Sequence, residues 1–262
     1  MSEVQGRPAS TMSTERRYGI AISVALILGG VYWALTGLTE GTKTSQDTYP
    51  VVGTALSIKT SSTELEVRSG DVEKITVDRR FERNVFGSDP QDKYKDGKLE
   101  IRDTGCGFLS LGCDTEYVVT VPKDVKVSID SSSGDLKVFG LTGGADLKAS
   151  SGDIEAHGIG GELRLESSSG DLEADELTAS SVTSRSSSGS LDLTFTQAPT
   201  SVDAQTSSGD VTVLVPTGEE TYRVDTDTSS GDESANVKFD PSSTRTIKAE
   251  TSSGDVTVEY HR

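Results

Sequence analysis

The sequence predicts an all-β protein: a β-solenoid with an irregular β-rich N-terminal cap, preceded by one transmembrane helix. Three observations carry this. Ser-Ser-Gly-Asp occurs six times and Ser-Ser-Gly-Ser once, with glycines at Gly134, Gly152, Gly170, Gly189, Gly209, Gly231 and Gly254. By subtraction the intervals are 18, 18, 19, 20, 22 and 23 residues, and a near-fixed period marks stacked repeats. The residues flanking each motif alternate apolar and polar, which is the strand period. One uncharged run near the start is long enough to cross a bilayer.

Residues 1–17 read as a cytoplasmic tail and residues 18–39 as a signal anchor. The run from Tyr18 to Thr39 contains no charge; as a helix it would extend roughly 33 Å at about 1.5 Å per residue. Arg16 and Arg17 precede it, while Glu40 and Asp47 follow. The positive-inside rule then places the C-terminal domain outside the cell. Tyr32 and Trp33 fall toward the distal end, where amphipathic rings favour the interface. A cleaved secretory signal is the alternative, with Ala34-Leu35-Thr36 as a weak cleavage site.

Residues 40–50 are polar, end in Pro50 and read as a flexible spacer. Residues 51–121 read as the cap, with strands near 55–59, 64–68, 73–80, 97–102 and 116–121. Phe81 to Asp96 is charged and reads as a loop. Within the cap, Leu56 to Val67 matches Val127 to Val138 position by position, with Thr63-Glu64 in place of Gly134-Asp135.

Residues 122–262 form the repeats. Val127, Ile129, Ser131 and Ser133 share one parity, as do Leu163, Leu165, Ser167 and Ser169. This puts small hydroxyls on the inward face close to the turn, where hydroxyl ladders between rungs are expected. Leu136 and Val138, or Ile154 and Ala156, resume the pattern after the turn. The glycine supplies the bend. Its aspartate (Asp135, Asp153, Asp171, Asp210, Asp232 or Asp255) accepts local backbone N–H groups. Asp232-Glu-Ser-Ala-Asn is a poor strand start, so that rung should be loose. The chain end is expected to leave an open edge guarded by Glu259, His261 and Arg262.

Composition excludes some functions. Net charge is -17, and an acidic surface repels nucleic acid. Cys106 and Cys113 sit among Gly105, Gly107 and Gly112 with no nearby histidine, which excludes a four-ligand zinc site. A disulfide between them is expected in an oxidising compartment; two unpaired thiols are the alternative. The histidines are His157 and His261, and no Gly-x-Ser-x-Gly elbow or phosphate-binding glycine loop is present. The expectation is no enzyme, no catalytic residue and no cofactor. A stacked row of Asp135, Asp153, Asp171 and Asp210 suggests calcium, but one carboxylate per rung supplies too few ligands.

The Ser-Ser-Gly-Asp-Leu/Val units, with the segment Tyr117-Val-Val-Thr-Val-Pro-Lys-Asp-Val-Lys-Val-Ser-Ile129, resemble a bacterial family of unknown function named putative adhesins. The resemblance covers roughly residues 50–262. It implies a right-handed parallel β-helix-like fold at the cell surface and no catalytic residues. Ser190 departs from the repeated aspartate. The expected function is a membrane-anchored extracellular, non-catalytic module with an adhesin-like role, binding protein or glycan in the envelope. The alternative is an envelope-stress sensor or scaffold acting through a membrane partner.

Overall fold

The computed structural model describes residues 40–83, 91–102 and 115–261. The expected membrane helix 18–39 and the pair Cys106 and Cys113 lie outside them. Among the described residues no helix is long and apolar enough to cross a membrane.

Regular structure in this part is all strand. The first group is β1 (Glu40–Pro50), β2 (Ala55–Ser62), β3 (Glu64–Gly70), β4 (Lys74–Arg83), β5 (Gln91–Lys95), β6 (Lys98–Arg102) and β7 (Thr115–Pro122). Five two-strand rungs follow. They are β8 (Lys126–Ser133) with β9 (Leu136–Phe139), β10 (Ala145–Ala149) with β11 (Ile154–His157), and β12 (Glu162–Ser167) with β13 (Leu172–Leu177). Next come β14 (Ser181–Ser186) with β15 (Leu191–Phe195), and β16 (Ser201–Gln205) with β17 (Val211–Pro216). The last strands are β18 (Arg223–Thr228), β19 (Glu233–Asn236), β20 (Thr246–Thr251) and β21 (Val256–His261).

The chain crosses back and forth between two long sheets. Sheet A has the order β1-β4-β7-β3-β9-β11-β13-β15-β17-β21-β19, and sheet B the order β18-β20-β16-β14-β12-β10-β8-β2-β6-β5. Pairing between rungs is parallel, as in a β-solenoid. Equal parity in each rung stacks aliphatic side chains into columns. One column runs Leu65, Leu136, Ile154, Leu172, Leu191, Val211 and Val256; its partner on sheet B includes Leu56, Val127, Leu163, Val202 and Ile247. All are buried. Each large aliphatic contributes about 1.5–3 kcal/mol on burial, so short side chains suffice for a continuous core.

Several expectations are corrected. Residues 40–50 are strand β1 rather than a spacer. The segment 81–96 is not all loop: β4 runs through Arg83, and β5 occupies Gln91–Lys95. Leu56 to Val67 is a full rung rather than irregular cap, and its strands pair with those of Val127 to Val138 in the register of the sequence match.

The largest correction concerns the chain end. The last rung in sequence, β20–β21, is not last in space. β20 lies between β16 and β18, and β21 between β17 and β19. The open edge belongs to β18 and β19, so Glu259 and His261 lie on an internal strand, while Arg262 lies outside the described residues. Physically, the rung with the poorer apolar face goes outside. The inward positions of β18 are Val224, Thr226 and Thr228, against Ile247, Ala249 and Thr251 on β20.

Candidate functional site

The repeat corner is the first place to look for chemistry. The seven motif glycines have φ between +97° and +149°. At Gly170 a Cβ would stand 2.2 Å from the carbonyl oxygen of Gly152, one rung away. The motif glycine therefore serves close stacking as well as the bend. Gly170→Ala is expected to cost about 2–4 kcal/mol, from backbone strain plus displaced backbone. Gly53→Ala, at φ +74° with nothing within 4 Å of the new Cβ, should cost only about 1–2 kcal/mol. Chemical denaturation of the two variants checks the difference.

The aspartates do not close their own turns. Asp135 Oδ1 accepts the backbone N–H of Asp153 at 3.0 Å, Asp153 that of Asp171 at 2.9 Å, and Asp171 that of Ser190 at 2.8 Å. Asp210 accepts from Asp255, and Asp255 from Asp232, each at 2.8 Å. The motif aspartate is thus a brace to the next rung, which corrects the expected local turn bond. At Ser190 the shorter side chain accepts from Asp210 N–H at 3.3 Å, the longest link in the row. Removing the acceptor in Asp171→Ala should cost about 1 kcal/mol, a typical net hydrogen bond. Faster amide exchange at Ser190 is the local readout.

The serines also differ from expectation. The inward parity ends one residue before the motif, at Ser131, Ser167, Ser186, Thr206 and Thr251, all buried. The motif serines from Ser150 onward are exposed. Between rungs the hydroxyls bond to carbonyl oxygens rather than to one another: Thr206 to Gly189, Thr251 to Gly209 and Thr228 to Gly254, each at 3.0 Å. Corner chemistry is therefore committed to stacking.

His157 was the one internal histidine a catalytic triad could use. Its Nδ1 lies 2.5 Å from Asp175 Oδ1 and its Nε2 3.0 Å from Glu176 Oε2. Glu176 has φ +50°, where the register between β13 and β15 shifts. Among the described residues no hydroxyl joins this group, so it is a histidine between two carboxylates. Also among the described residues, no group of three or more His, Cys, Asp or Glu could hold a metal ion.

Ion pairs run along both outer sheet faces; on sheet A Lys137 lies 3.7 Å from Glu64 and from Glu155. Sheet B is laced with ion pairs: Lys148 with Glu166 at 2.7 Å, Arg185 with Asp203 at 2.7 Å and Lys248 with Glu250 at 2.7 Å. Hydrogen bonds from Lys148 and then Arg164 hold the Glu166 carboxyl below its ordinary pKa. A depressed pKa means that this contribution is present above the unfolded value and lost as pH falls through the folded one. On sheet A the outward column Glu66, Lys137, Glu155, Glu173, Asp192 gives way to Thr212, Thr257 and Ser234. Beside that uncharged stretch is an open depression of about 1010 Å³, lined by Thr194, Leu214, Thr217, Asn236, Glu259, Tyr260 and His261. Sequence reasoning missed it because Leu214 and Glu259 become neighbours only through the reversed rung order.

The fold and repeats match the family described as Toastrack DUF4097 over residues 54–160 and 141–259, and the chain belongs to that family. Among solved structures, a putative adhesin from Bacteroides fragilis is 17% identical with a TM-score of 0.52, covering 84% of this chain and 97% of that one. A putative cell adhesion protein from Clostridium sporogenes is 16% identical with a TM-score of 0.41, covering 84% and 100%. A putative lipid binding protein from Parabacteroides distasonis is 11% identical with a TM-score of 0.42, covering 86% and 98%. No curated protein matches the chain in sequence.

Proposed function

We propose that the chain is a single-pass, membrane-anchored extracellular module that binds protein or glycan in the cell envelope without catalysis. The observation that carries this is the commitment of the repeat corners. Their glycines and aspartates are spent on stacking, which leaves the outer sheet faces to vary. Family membership and a neighbour described as a putative adhesin support the same reading. The anchor rests on the uncharged run from Tyr18 to Thr39 and its flanking charges.

The test uses the full chain in proteoliposomes, retained on surfaces coated with isolated envelope glycan or envelope protein. Leu214→Asp with Glu259→Lys should reduce retention and leave melting unchanged. Asp171→Ala should lower melting and leave retention intact. Retention unchanged by Leu214→Asp with Glu259→Lys, or turnover of the coating, overturns the proposal. Protease added to intact cells should remove residues 40–262 and spare 1–17; the opposite pattern removes the extracellular placement.

A further inference from the structure

We propose that this chain assembles head to tail with copies of itself, the free edge of β18 in one copy pairing antiparallel with the free edge of β5 in the next. Among the described residues the two strands are the terminal members of sheet B, at its opposite ends. β18 runs parallel to the rungs, whereas β5 runs antiparallel to its neighbour β6. A copy stacked in the same orientation therefore presents β5 antiparallel to β18, with the outward faces of both sheets on one side.

The side chains select a register. Arg223, Asp225 and Asp227 are the exposed positions of β18, and Gln91, Lys93 and Lys95 those of β5. Placing Asp227 opposite Lys93 puts Asp225 opposite Lys95, two opposite-charge cross-strand pairs. Sliding by two residues sets Arg223 against Lys95. Sliding by one sets outward side chains against inward ones. The favoured register also brings Thr226 beside Tyr94, whose ring stacks on Tyr49 at 4.8 Å. Half-buried Val224 and Val237 supply apolar surface at the other end.

The lysines of β5, elsewhere an edge guard, are here the groups that the register pairs with Asp227 and Asp225, and residues 238–240 cover the edge only beside Tyr222, ahead of β18. β18 has no proline, lysine or bulge. Its open end is occupied instead by Glu233, which accepts Thr226 Oγ1–H at 2.9 Å and Thr228 N–H at 3.3 Å. That carboxylate stands where acceptors of the next strand would come. Because the two surfaces are different patches, the contact is heterologous, and a copy stacked in the same orientation leaves its own β18 edge open to the next copy.

A zero-length carbodiimide, which joins a lysine amine to a carboxylate with loss of water, tests the pairing on the full chain in detergent micelles. Within one copy Lys93 and Asp227 lie nine strand spacings apart, roughly 43 Å at about 4.8 Å each, so a link between them is intermolecular. The expected products are Lys93–Asp227 and Lys95–Asp225 crosslinks and a ladder of dimers and higher species. K93D/K95D and D225K/D227K should each lower the ladder about tenfold, and the combined fourfold variant should restore it. All four residues are exposed, and melting confirms folding of each variant. Absence of the two crosslinks, a ladder indifferent to the reversals, or no rescue by the fourfold variant overturns the proposal.

Discussion

Deleting residues 244–262 is expected to release residues 223–236 from the fold, although they remain in the chain. Among the described residues β18 pairs only with β20, and β19 only with β21. The deletion therefore removes the neighbours that hold the outer rung. Ile247, Val256 and Val258 are each at most 1% exposed, and their burial contributes about 5–9 kcal/mol together. Arg245 goes with them, and its Nη1 donates to the carbonyls of Ala198 and Pro199 at 2.9 Å. In a stack ordered as the sequence is, the same deletion would trim one end and leave 223–236 protected. Hydrogen exchange separates the two: loss of protection across 223–236, with rungs β8 to β15 unchanged, is the expected result. Stability in such arrays is close to a sum of nearest-neighbour terms, so damage should stay local.

The sequence carried the repeat and hid its order. Period-two alternation located the buried columns because every rung repeats the same parity; Leu136, Ile154, Leu172 and Leu191 are all legible that way. The match of Leu56–Val67 to Val127–Val138 marked an earlier copy of the rung within the cap; that the two copies pair directly is a finding of the structure. Spatial order was illegible because a motif interval measures chain length, not adjacency. A trace of it exists. The two widest intervals, Gly209 to Gly231 and Gly231 to Gly254, are the ones where the chain steps over a rung and returns. The aspartate was misread for a related reason. An Asp after Gly forms local turn bonds in most contexts, but stacked copies offer each carboxylate a backbone N–H one rung away. The depression near Leu214 depends on both the rung order and the outward columns, so single-strand patterns could not reveal it.

Asp92→Ala is expected to open the opposite end of the stack. The Asp92 side chain is 1% exposed and that of Arg79 13%, which makes this the most deeply buried ion pair among those described. Arg79 lies on β4 of sheet A and Asp92 on β5 of sheet B, so their bond ties the two sheets together at the N-terminal end. Arg79 also reaches Asp47 and Ser45 on β1. Tyr49 donates to Asp92 Oδ2 at 2.6 Å. Burial first, then the hydrogen bond to Asp92 and its charge, push the Tyr49 phenol above its ordinary value of 10.0. A raised pKa means that Tyr49 contributes fully below about pH 10 and loses that contribution only as pH rises through its folded value. Removing Asp92 takes from the buried guanidinium one of its two carboxylate partners and from Tyr49 its acceptor, which costs about 2–4 kcal/mol. The cost is mostly desolvation rather than lost attraction, so Arg79→Met with Asp92→Leu should recover much of it. Denaturation midpoints of the single and double variants check this. A double variant as unstable as Asp92→Ala would show that the charges themselves, and not their burial, hold β1, β4 and β5 together.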